Sequence, residues 1–222
     1  MINNTRSMTT RRVYLFRHGE TVWNTEGRYQ GMKDSPLTAR GRQQAMRHAA
    51  LMEKFDIKHM YASPLGRVRE TLSYIQQKVP ISVKFENCLV ELGAGEWEGR
   101  KYDQVKKLYA EHLKQRKDNL AQFKPPRGES RSELLARLQI IRRRILEGES
   151  NSDHCYAILS HGAVTRVLIM SLLGISIATD PPFSTGNDVV YRIEITGADV
   201  SVSHFVNGEG PLDGLYFPGL AN

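Results

Sequence analysis

The sequence predicts an α/β sandwich, and three observations support that. Short apolar runs of strand length alternate along the chain with longer stretches of helical period. Two of the runs, Val13 to Phe16 and Cys155 to Leu159, are continuously apolar, as strands covered on both faces are. No internal repeat or low-complexity linker divides the 222 residues, a length that fits one domain with or without a small inserted cap.

The polar start, MINNTRSMTTRR, reads as a flexible tail over residues 1–11, ahead of a single domain over 12–222. Val13 to Phe16 is the first strand, ending in RHG. Thr38 is a suitable N-cap for a helix that carries Ala45, Ala49 and Met52 on one face, and Ile57 to Ala62 returns as a second strand. Ser63 and Pro64 are expected to open the next helix, running to about Lys78, with proline at its first position where a missing amide hydrogen costs nothing. Ile81 to Phe85 alternates like an edge strand. Arg100 to Phe123 is a charged helical stretch that leads to the breaker PPRG, and residues of about 100–130 form a small helical cap insertion. Glu129 to Leu146 is a long helix with Leu134, Leu138, Ile141 and Ile145 at core spacing. Cys155 to Leu159 then ends in SHG, the helix Ala163 to Leu173 stops at Gly174, and Val189 to Ile195 and Val200 to Phe205 complete the sheet.

Composition narrows the function. The chain is 40% hydrophobic and 25% charged, and it holds no apolar run near the roughly 20 residues of a membrane span, so no membrane partner is expected. A net charge of +7 suits nucleic acid, an acidic surface or a small polyanion, but no helix-turn-helix, zinc-finger or aromatic-basic motif accompanies it, so no nucleic acid is expected. Lys106, Lys107, Lys114, Arg116 and Lys117 recur at helical spacing and read as a solvated helix face, with substrate steering as the alternative. Cys88 and Cys155 lie far apart in apolar surroundings and read as reduced thiols, which together with the absence of a secretory leader indicates the cytoplasm. Oligomeric state is open, with a homodimer as one form.

The chemistry concentrates at two strand ends. FRHGE and LSHGA each place a histidine just past an apolar strand, followed by glycine, and ligands of open α/β sheets sit beyond such carboxyl ends. Arg17 flanks His18, and Arg67 follows in SPLGRVRET. Guanidinium groups fork phosphoryl oxygens and stay charged at any workable pH, so two of them beside an imidazole describe a phosphate pocket. The sequence contains no HExxH, no CxxC and no tight Asp/His cluster, so neither a metal nor another cofactor is expected.

In that order, RHGETVWNTEGRYQG, SPLGRVRET, ELGAGEWEG and SHG resemble the histidine phosphatase superfamily, also called phosphoglycerate-mutase-like, in its branch with the RHG motif. The resemblance spans Arg17 to Gly162. It implies a three-layer α/β/α sandwich around a mostly parallel sheet, and a phosphohistidine intermediate. Position by position, His18 resembles the nucleophile, while Arg17, Arg67 and His161 resemble the groups that hold the transferring phosphoryl. Glu91 stands where the family places its proton donor. Asn24, Gln30, Gly31 and Gly162 match phosphate- or substrate-contacting positions. Trp97 reads as cap packing, and His48, His59, His112, His154 and His204 have no comparable context and receive no role.

These correspondences imply a metal-independent phosphomonoester hydrolase acting on a small phosphorylated metabolite. The alternatives are a cofactor-dependent phosphoglycerate mutase, a fructose-2,6-bisphosphatase-like enzyme, and a non-catalytic phosphate-binding module. Phosphoglycerate mutases carry NERHYG where this chain has VELGAG, so Ala94 replaces a substrate-contacting tyrosine, and Asn119 and Leu120 fall near the place of their adjacent arginines. PPRGES and GEWEG look more like the phosphatase branch. A mutase would need its carboxylate contact from Lys101, Lys124 or Arg127.

Overall fold

The computed structural model describes residues 10–147 and 155–219. Among the described residues, seven strands form one sheet: β1 (Arg11–Arg17), β2 (His59–Ala62), β3 (Ser82–Phe85), β4 (Cys155–Ser160), β5 (Val189–Thr196), β6 (Asp199–Val206) and β7 (Glu209–Asp213). Their spatial order is β3-β2-β4-β1-β5-β6-β7, with the first four parallel and the last three added antiparallel. β4 and β1 therefore lie side by side at the centre, and their register pairs Arg17 with Ser160. The next residue of each strand is a histidine, so the two strands deliver His18 and His161 to one point.

Strand alternation builds the layers. On β1, Val13 and Leu15 face a core shared with Leu134, Leu138, Ile141 and Val167, while Tyr14 and Phe16 face one shared with Ala49, Met52, Val68 and Leu72. The first core lies under α6 (Arg131–Glu147) and α7 (Gly162–Leu172), the second under α2 (Ala39–Lys54) and α3 (Gly66–Gln76). This is the three-layer α/β/α sandwich. Phe16 is wholly buried, and truncating such a side chain to alanine costs about 3–5 kcal/mol. Thr38 caps α2 as expected, its hydroxyl accepting the Gly41 N–H at 3.0 Å.

Four expectations need correction. Pro64 does not open a helix. Ser63 continues the β pairing, donating its N–H to Leu159 O, and α3 begins at Gly66, where the Asp34 carboxylate accepts the Gly66 and Arg67 amides. The charged stretch after Arg100 is two short helices, α4 (Tyr102–Leu108) and α5 (Ala110–Asp118), because the backbone turns out of the helix at Tyr109. β1 starts at Arg11, so the last residue of the expected tail belongs to the sheet, and the Thr10 hydroxyl just before it bonds the Thr196 hydroxyl. β7 was not expected; it is a mostly exposed edge strand with Gly210 and Pro211 in its middle, so no apolar pattern marks it.

The cap has a small core of its own, in which Trp97 is buried against the rings of Tyr29, Tyr109 and Phe123. Both cysteines are free and half-buried, and burial pushes both thiols up. Among the described residues no helix is long and apolar enough to cross a membrane. His154 and residues 1–9 lie outside the described residues.

Candidate active site

The RHG turn is held by its backbone from several sides. His18 N–H donates to Ser160 O at 3.0 Å, Asn187 donates to His18 O at 2.8 Å, and Gly19 N–H reaches the Thr71 hydroxyl at 3.0 Å. His48, given no role from sequence, donates its Nε2–H to Arg17 O at 3.0 Å from the buried face of α2. Gly19 is required for this packing, since a Cβ there would sit 2.3 Å from Gly41 O.

The turn fixes the His18 ring. Nδ1 lies 2.8 Å from Gly19 O, and a carbonyl only accepts, so Nδ1 carries the hydrogen and Nε2 keeps its lone pair. Arg67 Nε–H points at that lone pair from 3.2 Å. Burial, then Arg17 and Arg67, hold the imidazole well below the usual histidine range, so the ring is neutral at neutral pH. Burial and the same arginines also depress His161, whose ring centroid is 5.3 Å from that of His18. Ser63 Oγ lies 2.8 Å from His161 Nε2, while His161 Nδ1 is buried without a partner.

Arg67 is wholly buried in the floor of the site. Its Nη1 donates to Lys33 O and Asp34 Oδ1, at 2.7 and 2.9 Å, and its Nη2 donates to Gly31 O at 2.9 Å. Asp34, which the sequence reading missed, therefore holds both the guanidinium and the start of α3. Arg17 donates to Thr185 O at 2.8 Å and leaves its buried Nε–H without an acceptor. Gly162 makes room for it, because a Cβ there would lie 3.3 Å from the guanidinium carbon.

Above this floor opens a cavity of about 240 Å³ lined by Arg17, His18, Asn24, Gln30, Gly31, Arg67 and Glu91. Seven of the nine expected site residues thus meet in one place, with His161 and Gly162 directly behind them. Gln30 is buried with its Oε1 unpaired, whereas Asn24 Oδ1 is engaged in capping α1 (Val22–Thr25) through the Thr21 amide and hydroxyl. Gly31 has φ +53, and a Cβ on it would strike Glu98 Oε1 at 2.2 Å. Glu98 in turn accepts the Met32 and Ala94 amides, tying that loop to the cap. Glu91 enters from the rim, with Oε1 accepting Leu92 N–H at 2.8 Å and Oε2 lying 3.4 Å from Ala163 N at the start of α7.

The mouth is aromatic and apolar, with Tyr29, Leu92, Ala94, Trp97, Tyr102, Leu120 and Phe123 on its walls. Arg28, Arg116 and Arg131 also reach it. Arg28 is committed to Glu26 and Gly99 O, and Arg131 to Asp180 and two carbonyls. Arg116, expected on a solvated face, instead stands beside the Tyr29 hydroxyl at the cavity wall.

Known proteins resemble the chain in sequence and fold. The family model of the histidine phosphatase superfamily (branch 1) matches residues 13–208. A probable phosphoglycerate mutase, GpmB, of Escherichia coli O1:K1 is 34% identical over 182 residues, 82% of this chain and 84% of that protein. Among solved structures, Bacillus stearothermophilus YhfR is 30% identical with a TM-score of 0.77, covering 90% of this chain and 97% of its own. The α-ribazole phosphatase of Shigella flexneri is 25% identical with a TM-score of 0.77, covering 95% and 100%. With the matched model spanning nearly all of the sheet, the chain belongs to the histidine phosphatase superfamily, branch 1.

Proposed function

We propose that the protein is a metal-independent phosphomonoester hydrolase that works through a phosphohistidine on His18. The observation that carries this reading is the set of the His18 ring: Nδ1–H is anchored to Gly19 O, which leaves the Nε2 lone pair on the cavity floor beside the Arg67 guanidinium, and burial with Arg17 and Arg67 keeps the ring neutral. Nε2 attacks phosphorus, the bond to the ester oxygen breaks, and the phosphoryl group passes to the ring. Negative charge on the equatorial oxygens falls beside Arg17 and Arg67, which supply the positive charge a metal would otherwise provide. The unpaired Arg17 Nε–H and His161 Nδ1 are the groups such oxygens would satisfy. Glu91 passes its carboxyl proton to the leaving oxygen, then takes a proton from the water that attacks the phosphohistidine, releasing inorganic phosphate.

The substrate is a small phosphorylated metabolite with no nucleic acid or membrane partner, and the proposed compartment is the cytoplasm. Ala94 lines the mouth where a mutase would have its tyrosine, which favours water over a carboxylate-bearing acceptor. A second reading, mutase, is favoured by Arg116 on the cavity wall and by the likeness to GpmB. Lys101, Lys124 and Arg127 are not among the lining residues, so Arg116 is the side chain that would hold the carboxylate.

One experiment tests the proposal. Purified protein should hydrolyse phosphomonoesters in EDTA, and rapid quenching should trap an acid-labile phosphoryl group that His18→Ala lacks. Activity lost to EDTA and restored by a divalent cation would overturn the mechanism. A rate of 2-phosphoglycerate formation from 3-phosphoglycerate and 2,3-bisphosphoglycerate far above hydrolysis would establish the mutase reading.

A further inference from the structure

The backbone around Glu91 is gripped by two side chains for which the proposed chemistry has no use. Arg137, on α6, donates Nη1–H to Cys88 O and Nη2–H to Glu91 O, the latter at 3.2 Å. Its Nε and Nη2 also form a two-point pair with Glu129, at 2.7 and 2.9 Å. Glu129 reaches the other side of the acid, with Oε2 accepting Gly93 N–H at 3.2 Å and its own amide donating to Gly93 O at 2.9 Å. The pair therefore holds the chain at Cys88 and Glu91 and again at Gly93. Between these grips Glu91 lines the cavity, its carboxylate held by the Leu92 and Ala163 amides.

The loop depends on these grips. Among the described residues, the hydrogen bonds of the Glu91 to Gly93 backbone run to Arg137, to Glu129 and to the Glu91 carboxylate itself. The two side chains are only 21% and 18% exposed, so solvent screens the pair weakly. The turn that carries Glu129 is locked to the same loop: Glu96 N–H donates to Pro126 O at 2.9 Å, and a Cβ on Gly95 would lie 2.1 Å from that oxygen. A guanidinium meets this set of acceptors because its donors lie in one rigid plane, and an ammonium cannot span them.

We infer that Arg137 and Glu129 are positioning residues that set the reach of Glu91 to the leaving oxygen. The inference rests on the proton-donor reading of Glu91. A proton transfer needs its heavy atoms within about 2.6–3.2 Å, and a misplacement of about 1 Å can cost roughly 10²-fold. A pair that served only to fasten α6 to the cap would affect stability and would treat all substrates alike.

The test compares an alkyl phosphate, whose leaving oxygen needs a proton, with an aryl phosphate, whose oxygen needs little, in full-length Arg137→Ala, Arg137→Lys, Glu129→Gln, Glu91→Gln and the Arg137→Ala/Glu91→Gln double variant. Arg137→Ala is expected to lower kcat on the alkyl ester by about ten- to a hundredfold and to spare the aryl ester largely. Lysine should not rescue it, and Glu129→Gln should show the same selectivity more weakly. In the Glu91→Gln background Arg137→Ala should add little, since its effect runs through a carboxyl already removed. If Arg137→Ala does not fold, as thermal denaturation would show, the lysine and Glu129 variants carry the same readout. Equal losses on both esters, or a loss that multiplies that of Glu91→Gln, would overturn the inference. If Glu91→Gln itself treats both esters alike, the proton-donor reading fails first.

Discussion

The floor of the site and its cap are built by different means. The floor lies where the ends of the two central strands meet the start of α3, and there His18, Arg67 and His161 are each no more than 1% exposed, with backbone carbonyls and neighbouring side chains among their partners. The cap is made of loops, a single-turn 3-10 helix (Gly95–Trp97) and the short helices α4 and α5, around a core of three buried residues and the rings that lean on them. A rigid floor serves a reaction that hardly changes from one phosphoester to another, because the transferring group is always the same. A wall of interlocked loops serves the leaving group, which differs. On the proposed reaction, the difference assigns catalytic power to the floor and substrate choice to the cap.

The comparison breaks most readily at the floor. Arg67→Ala and His161→Ala should each lower kcat by about 10²–10³ while KM changes little, because donors aimed at the transferring group bind the transition state better than the ground state. Steady-state kinetics on one good substrate checks this. A pure rise in KM would make both residues ordinary clamps and remove the distinction between the regions.

How legible each region was in the sequence follows from the same contrast. β1, β4, α2 and α7 stand out because burial on both faces of a central strand, or against one face of a helix, writes a strong apolar pattern, and the histidines follow at fixed offsets. The Thr38 cap is local and readable for the same reason. What escaped was long-range: Asp34 reaches Arg67 across 33 residues and Arg137 reaches Glu91 across 46, and nothing near Asp34 or Arg137 in sequence marks a partner. His48 was passed over because it lacks a glycine-rich context, although Gln44 and His48, four apart on the buried face of α2, were a signal that polar groups there had backbone to satisfy. Arg116 was misread because the helical pattern was drawn through Tyr109, where the chain turns.

A smaller effect is expected from the cap. Arg116→Ala should reduce kcat/KM several-fold for phosphoesters that carry a second anionic group and leave an aryl phosphate with an uncharged leaving group nearly unchanged, since a partly exposed guanidinium contributes about 0–1 kcal/mol and does so only when a partner is present. Paired assays on the two substrate types would show it. A comparable loss on the aryl ester would move Arg116 into the machinery of the floor.

The last effect concerns stability and leaves the rate at pH 7 nearly untouched, and it belongs to the floor alone. His48 is buried and held down to about 4 by burial, first of all, with the Arg17 carbonyl opposing. Above about pH 6.5, the ordinary histidine value, both folded and unfolded states carry the ring neutral, and it adds no pH dependence. As pH falls from there toward 4 the unfolded chain gains a proton that the folded one refuses, so stability declines by up to about 1.4 kcal/mol per pH unit for this one group. Below the folded value both states hold the proton and the decline stops. His48→Gln keeps a donor for Arg17 O and removes the titration, so the slope of unfolding free energy against pH between 4 and 6.5 should flatten by up to one proton while kcat at pH 7 stays close to wild type. Urea melts across that range measure the slope. An unchanged slope would mean that His48 is protonated in the folded state, and the RHG turn would then rest on a charged support.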